Sequence, residues 1–137
     1  MHVAIKDPDG ANLDRIQIIK GWVDKKGEQH EKIVEVAWSG NRKLGANGKL
    51  PPIGSTVDVT KATYSNTIGS VELGGSWTDK EFDPTQHALY YVRVLEIPTP
   101  RWSTYDAVKS GLPLLPDVPA TIQERAWSSP IWYTPQK

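Results

Sequence analysis

Residues 98–106 put a guanidinium (Arg101), an indole (Trp102), a phenol (Tyr105) and a carboxylate (Asp106) into one short stretch opened by Pro98 and Pro100. Prolines stiffen such a loop, and loops of this kind often carry binding groups. Arg101 could clamp an anionic group through two parallel N–H bonds. The plainer alternative is that Trp102 and Tyr105 plug the edge of a core while Arg101 pairs with Asp106. A second mixture of charged and apolar residues follows at Gln123, Glu124, Arg125, Ala126 and Trp127. A neighbouring domain could take up Glu124 and Arg125 as a paired contact, and exposure to solvent would explain them equally well.

Asp7, Asp9, Asn12 and Asp14 offer four oxygen-bearing side chains within eight residues. A hard cation such as calcium prefers that chemistry. The spacing resembles the opening of a calcium loop, but the glycine at its sixth position and the acidic residue at its twelfth are missing. Asx turns account for the same residues without metal and are the favoured reading. His2, His30 and His87 form no pair spaced to share one metal. The sequence holds no nucleophile elbow, no phosphate loop before a helix and no cysteine nucleophile. Glu35, Glu96 and Glu124 fall on expected strands, where salt bridges with Arg93 or Arg125 are a plainer use than acid–base pairing. No catalytic residue, metal or cofactor is therefore assigned within this chain.

These groups must be positioned by short strands. Residues 2–6 read as a strand ended by the turn Asp7, Pro8, Asp9, Gly10. Residues 14–23 follow, and the broken alternation at Ile18 and Ile19 predicts a bulge or a strand covered on both faces. A turn at Asp24, Lys25, Lys26 and Gly27 closes a hairpin whose second arm runs over residues 31–39. Val34, Val36 and Trp38 are expected on one face of that arm, with Ile33, Glu35 and Ala37 on the other. Residues 40–53 read as loop. Val57 and Val59 mark a strand continuing toward Tyr64, and Gly69 to Gly75 suit an edge strand. Residues 88–97 are apolar on both faces, which predicts a central strand with cover on each side. One short helix is expected near residues 102–109, with Ser103 as N-cap and Gly111 as its stop. A last strand spans about 121–128 and resumes after Pro130 through Ile131, Trp132 and Tyr133. The pattern predicts a mostly β chain, a two-sheet antiparallel sandwich forming a single domain over residues 1–137.

Composition agrees. Eleven glycines and eleven prolines in 137 residues are too many for a helical bundle. Sixteen basic residues balance sixteen acidic ones, so no field steers the chain toward nucleic acid or an anionic membrane. Without cysteine there are neither disulfides nor thiolate metal sites. No apolar run approaches the roughly 20 residues that span a bilayer. The opening residues do not form a signal peptide, and an abrupt start in a strand suggests that a further segment precedes it.

Three strings, residues 7–22 (DPDGANLDRIQIIKGW), 90–107 (YYVRVLEIPTPRWSTYDA) and 121–135 (TIQERAWSSPIWYTP), resemble the C-terminal part of a bacterial family catalogued as domain of unknown function 3604. Its members are similar to PHP-type metal-dependent hydrolases and often appear among exported or periplasmic proteins. The resemblance implies an upstream catalytic domain that holds the divalent metal and partners this chain. Arg101, Trp102, Tyr105 and Asp106 match the family's most distinctive loop, and Glu124, Arg125 and Trp127 its terminal strand motif. The leading expectation is a non-catalytic accessory domain that packs against a phosphoesterase-like hydrolase and completes its active site. The alternative is an independent ligand- or carbohydrate-binding sandwich, and a small stand-alone hydrolase ranks last.

Overall fold

The hairpin forms where its turn chemistry places it. Asp24 Oδ1 accepts hydrogen bonds from the N–H groups of Lys26 (2.8 Å) and Glu28 (3.0 Å). Gly27 takes the left-handed conformation (φ 82°) that closes the turn without a Cβ penalty. The computed structural model describes residues 1–136. In chain order it contains β1 (His2–Ile5), β2 (Leu13–Val23), β3 (Gln29–Trp38), β4 (Glu72–Gly75), β5 (Ala88–Glu96), β6 (Thr99–Pro100), α1 (Trp102–Ser110), β7 (Thr121–Ile122), β8 (Arg125–Trp127) and β9 (Ile131–Tyr133). The chain is mostly β, and all its paired strands are antiparallel.

The main sheet runs β3-β2-β5-β8, with β9 sharing the edge of β5 that β8 also uses. β1 and β4 form a two-stranded ribbon, and β6 and β7 a short ladder. The ribbon lies on one face of the main sheet, where Leu13, Ile16 and Leu73 are buried among Ala4, Val36, Ala37, Val92 and Val94. Fully burying an aliphatic side chain such as Ile16 contributes roughly 1.5–3 kcal/mol, which makes this layer the core. The rest of that face is roofed by residues 77–83. There Lys20 Nζ meets Asp79 at 2.5 Å and stacks over the rings of Trp22 and Tyr90 at 5.0 and 5.9 Å.

Several expectations need correction. The register shift against β3 falls between Ile16 and Gln17, not at Ile18 and Ile19, which are both buried because the strand is covered on two sides. Val36 is the extra residue, so the alternation inverts beyond it. Ala37 stands opposite Ile16 on the core side, and Trp38 stands opposite Arg15 on the other. Val34, Val36 and Trp38 therefore do not share a face. Residues 57–64 make only the single bridge Asp58–Thr63. The Asp58 carboxylate captures the N–H groups of Thr60 and Lys61, closing a turn where a strand was expected.

Helix α1 starts two residues earlier than Ser103 as N-cap would allow. Arg101 is its N-cap, in extended conformation and without a side-chain cap bond, because β6 delivers the chain directly into the helix. Gly111 stops it at φ 64°, and Leu112 N–H returns to Ala107 O at 2.8 Å. The final strand is interrupted at Gln123 and Glu124, since Gln123 turns its amide inward to Asp14 and to the Glu96 carbonyl. β5 is central, and Leu89 to Glu96 are partly buried on both of its faces.

Candidate functional site

Residues directly opposite on paired strands share a face. Glu35, Gln17, Arg93 and Trp127 stand in one such row across the sheet, and Gly21, Leu89 and Trp132 in another. This is the face opposite the β1-β4 ribbon. Trp127 is 58% exposed and Trp132 71%. Large aromatic side chains standing this far out of a sheet are unusual unless something covers them.

Beside the tryptophans runs a chain of polar contacts. Arg93 Nε donates to Gln17 Oε1 (2.9 Å), and Gln17 Nε2 donates to Glu35 Oε1 (2.8 Å). Arg15 bridges Glu35 Oε1 (3.0 Å) and Asp14 Oδ2 (2.9 Å). Asp14 Oδ1 accepts from Arg42 Nη2 (2.6 Å), and its Oδ2 accepts from Gln123 Nε2 (3.0 Å). Glu35 Oε2 is buried and has no hydrogen-bond partner among the described residues. Native interiors rarely leave such an atom alone.

At the far end of the same sheet, the side chain of Leu89 lies over Gly21. Trp22, His30, His87, Leu89, Trp132 and Tyr133 line a cavity of about 350 Å³ there. The Trp22 and His30 rings stack at 5.1 Å with planes 19° apart.

The two distinctive segments come together through their backbones. Ser128 N–H bonds to Val92 O and Glu96 N–H to Glu124 O. Thr99 then pairs with Ile122, and Arg101 N–H bonds to Ala120 O. Beyond that ladder, α1 buries Thr104 and Ala107 and turns Trp102 (69% exposed), Tyr105 and Asp106 outward. Arg101 makes no ion pair with Asp106, and its Nε is buried without a partner among the described residues. Burial, with Tyr64 nearby, pushes the Tyr105 phenol above its ordinary range. Glu124 and Arg125 are exposed, and they form no ion pair with each other among the described residues. Trp132 was not singled out in sequence. Its place in a strand after Pro130, beside Trp127 on the same β5 edge, is the only signal that could have found it.

The four oxygen donors near the N-terminus are not gathered. Asp7 Oδ1 accepts from Asp9 N–H within its turn (2.9 Å). Asn12 Nδ2 donates to the carbonyls of Asn66 and Ile68, and Asp14 is held by two guanidinium groups. A different set, Asp24, Glu28 and His30, brings one ligand atom each within 4.8 Å at the hairpin turn. Asp24 is already engaged by His30 Nε2 (2.9 Å), and that bond, followed by backbone N–H groups, holds its carboxyl below the usual range.

Glu96 behaves oppositely. Burial, then the charges of Glu124 and Asp7, raise its carboxyl above the ordinary glutamate range. A raised carboxyl contributes stability that is fully present below its unfolded value, about 4.3, and is lost as pH rises through its folded value. Glu96→Gln is therefore expected to be more stable than the parent at pH 7 and to lose that advantage near pH 3. Urea midpoints at both pH values test this, and an equal advantage at both would contradict it.

A family model described as protein of unknown function (DUF3604) matches residues 1–135. Comparisons with curated proteins and with solved structures returned no match. The chain belongs to that family.

Proposed function

We propose that this chain is a non-catalytic accessory domain. It packs through the partly bare face of its main sheet against a metal-dependent, PHP-like hydrolase domain, the partner that the sequence resemblance implies. The carrying observation is uneven cover: one face is closed by the ribbon and residues 77–83, while the other is covered over β2, where Ile19 is buried, but bare at its β8 and β9 edge, where Trp127 and Trp132 are exposed. An interface of this composition is dominated by a few buried aromatic and arginine anchors surrounded by polar groups. Helix α1 offers Trp102, Tyr105 and Asp106 outward, and Arg101 keeps a donor unspent. These groups would stand at the rim of the partner's cleft, while the divalent metal would be held by that partner's residues.

The test starts from the native polypeptide. An antibody raised to this chain should reveal a band several times heavier than 15.2 kDa. When the remainder of that polypeptide is made separately, it should bind this chain. Trp127→Ala and Trp132→Ala should each weaken the complex about thirtyfold, the effect of losing an anchor worth about 2 kcal/mol. Association that ignores both substitutions would remove the bare face from the reading.

The cavity lined by Trp22, Trp132 and Tyr133 favours a second reading, a carbohydrate stacked on its aromatic walls. A native band near 15.2 kDa, with glycan-array binding lost in Trp132→Ala but kept in Trp127→Ala, would favour that reading over the first.

A further inference from the structure

Taken around the molecule, the strands follow one another as β4, β1, a break, then β8, β5, β2 and β3. β3 comes back against β4, because Gly75 lies so close to Val36 that a Cβ there would stand 3.1 Å from the Val36 carbonyl oxygen. A nearly closed sheet is thus interrupted between β1 and β8.

Both walls of the interruption carry unspent backbone. Lys6 N–H bonds to Val71 O at 3.0 Å. Antiparallel alternation therefore turns the peptide groups of Ala4 and His2 toward β4 and those of Val3 and Ile5 away from it. On the other wall, Glu96 N–H bonds to Glu124 O and Ser128 N–H to Val92 O, so Arg125 and Trp127 point their peptide groups away from β5. Between these walls lies a groove of about 490 Å³ lined by Leu13, Val94 and Ala126. Open edges of this kind are templates for an added strand.

The groove also has a charged end. Asp7, Glu96 and Glu124 gather where β1 and β5 finish and β8 begins, close enough for the two other carboxylates to act on Glu96. The nearby Lys6 is occupied: its Nζ donates to the carbonyls of Asp7, Pro8 and Gly10, each at 2.9 Å. Arg125 also lines the groove and the Lys6 charge still acts on Glu96, so three carboxylates stand against two cations, and the remaining negative charge favours a positive group from outside.

We propose that this groove receives an extended segment of the partner domain as its missing strand, with a lysine or arginine side chain set among Asp7, Glu96 and Glu124. The segment would run antiparallel to one wall and parallel to the other, because β1 and β8 run in opposite directions. The donor's identity rests on the reading given above, whereas the groove is distinct from the bare sheet face.

Amide hydrogen exchange, followed by NMR in this chain alone and in its complex with the rest of the native polypeptide, tests the proposal. The amides of Val3, Ile5, Arg125 and Trp127 should exchange freely in the chain alone and slow at least a hundredfold in the complex. Those of Ala4 and Ala126, already bonded, should change little. The pair Glu96→Gln and Glu124→Gln should weaken the complex at least tenfold. Loss of fold would not explain that result, since Glu96→Gln is expected to stabilise this chain. Association without slowing of the four outward amides, or with uniform slowing along β1, would overturn the strand proposal and leave the accessory reading standing. Slowing of those amides in a complex indifferent to Trp127→Ala and Trp132→Ala would support the groove and remove the bare face. Failure of the two pieces to associate would end both.

Discussion

Asp14→Ala is expected to lower the unfolding free energy by about 3–5 kcal/mol, the cost of removing one partner from a buried ion pair. Asp14 has no exposed surface, and it meets Arg15 and Arg42, whose side chains are 12% and 13% exposed. Without the carboxylate, two nearly buried guanidinium groups face each other across a void, and the Gln123 amide loses its acceptor. Such a loss is a large part of the roughly 5–15 kcal/mol that holds a domain together. The urea midpoint should fall by an amount on the order of 2 M. Asp7→Ala, at an exposed turn, supplies the control and should cost less than about 1 kcal/mol. If the two variants lost similar stability, solvent would have to reach the Asp14 network, and it would not be the fixed centre described above.

Asp14 also shows where sequence reading ends. As one of four oxygen donors in eight residues it reads as part of an Asx turn, with a bound cation as the weaker alternative. Its real counter-charges come from its neighbour Arg15 and from Arg42, 28 positions away, with an amide from Gln123, 109 positions away. No local spacing announces such partners. Contacts between neighbours were legible. The Asp24 turn, the β2-β3 hairpin, the strand over residues 88–97 and the stop at Gly111 each rest on periodicity or turn chemistry within a few residues. The Val36 bulge was not legible, because one unpaired residue leaves no mark in the pattern yet inverts every face beyond it. Apolar residues on both sides of β5 suggested a central strand, and β5 does lie between β2 and the β8 and β9 pair, partly buried on both faces. The types of Arg101, Trp102, Tyr105, Glu124 and Trp127 flagged the two segments. Only the β6-β7 ladder showed that their backbones run side by side, with Trp127 on the sheet and Trp102 on a helix.

Gly69→Ala is expected to cost about 2–5 kcal/mol, from two separable sources. The first is backbone strain: at φ 81° a Cβ costs on the order of 1–2 kcal/mol. The second is crowding, because that Cβ would stand 2.6 Å from Asn12 Cβ, 2.7 Å from Ile97 Cγ2 and 3.0 Å from the Leu13 carbonyl oxygen. Overfilling so tight a place typically adds about 1–3 kcal/mol. Gly27→Ala separates the terms, since Gly27 has nearly the same φ, 82°, and nothing within 4 Å of the added carbon. Thermal or urea unfolding should place Gly69→Ala below Gly27→Ala by at least about 1 kcal/mol, and equal losses would show that the crossing yields without strain. The crowded atoms belong to the point where Leu13 and Ser70 exchange hydrogen bonds of 2.8 and 2.9 Å. That crossing starts β2 and, two residues after Ser70, delivers the chain into β4, the strand that holds β1 in place. Loosening it should therefore also displace β1 as a wall of the groove. Gly69→Ala should then weaken capture of a partner strand although it touches none of the groove's own residues.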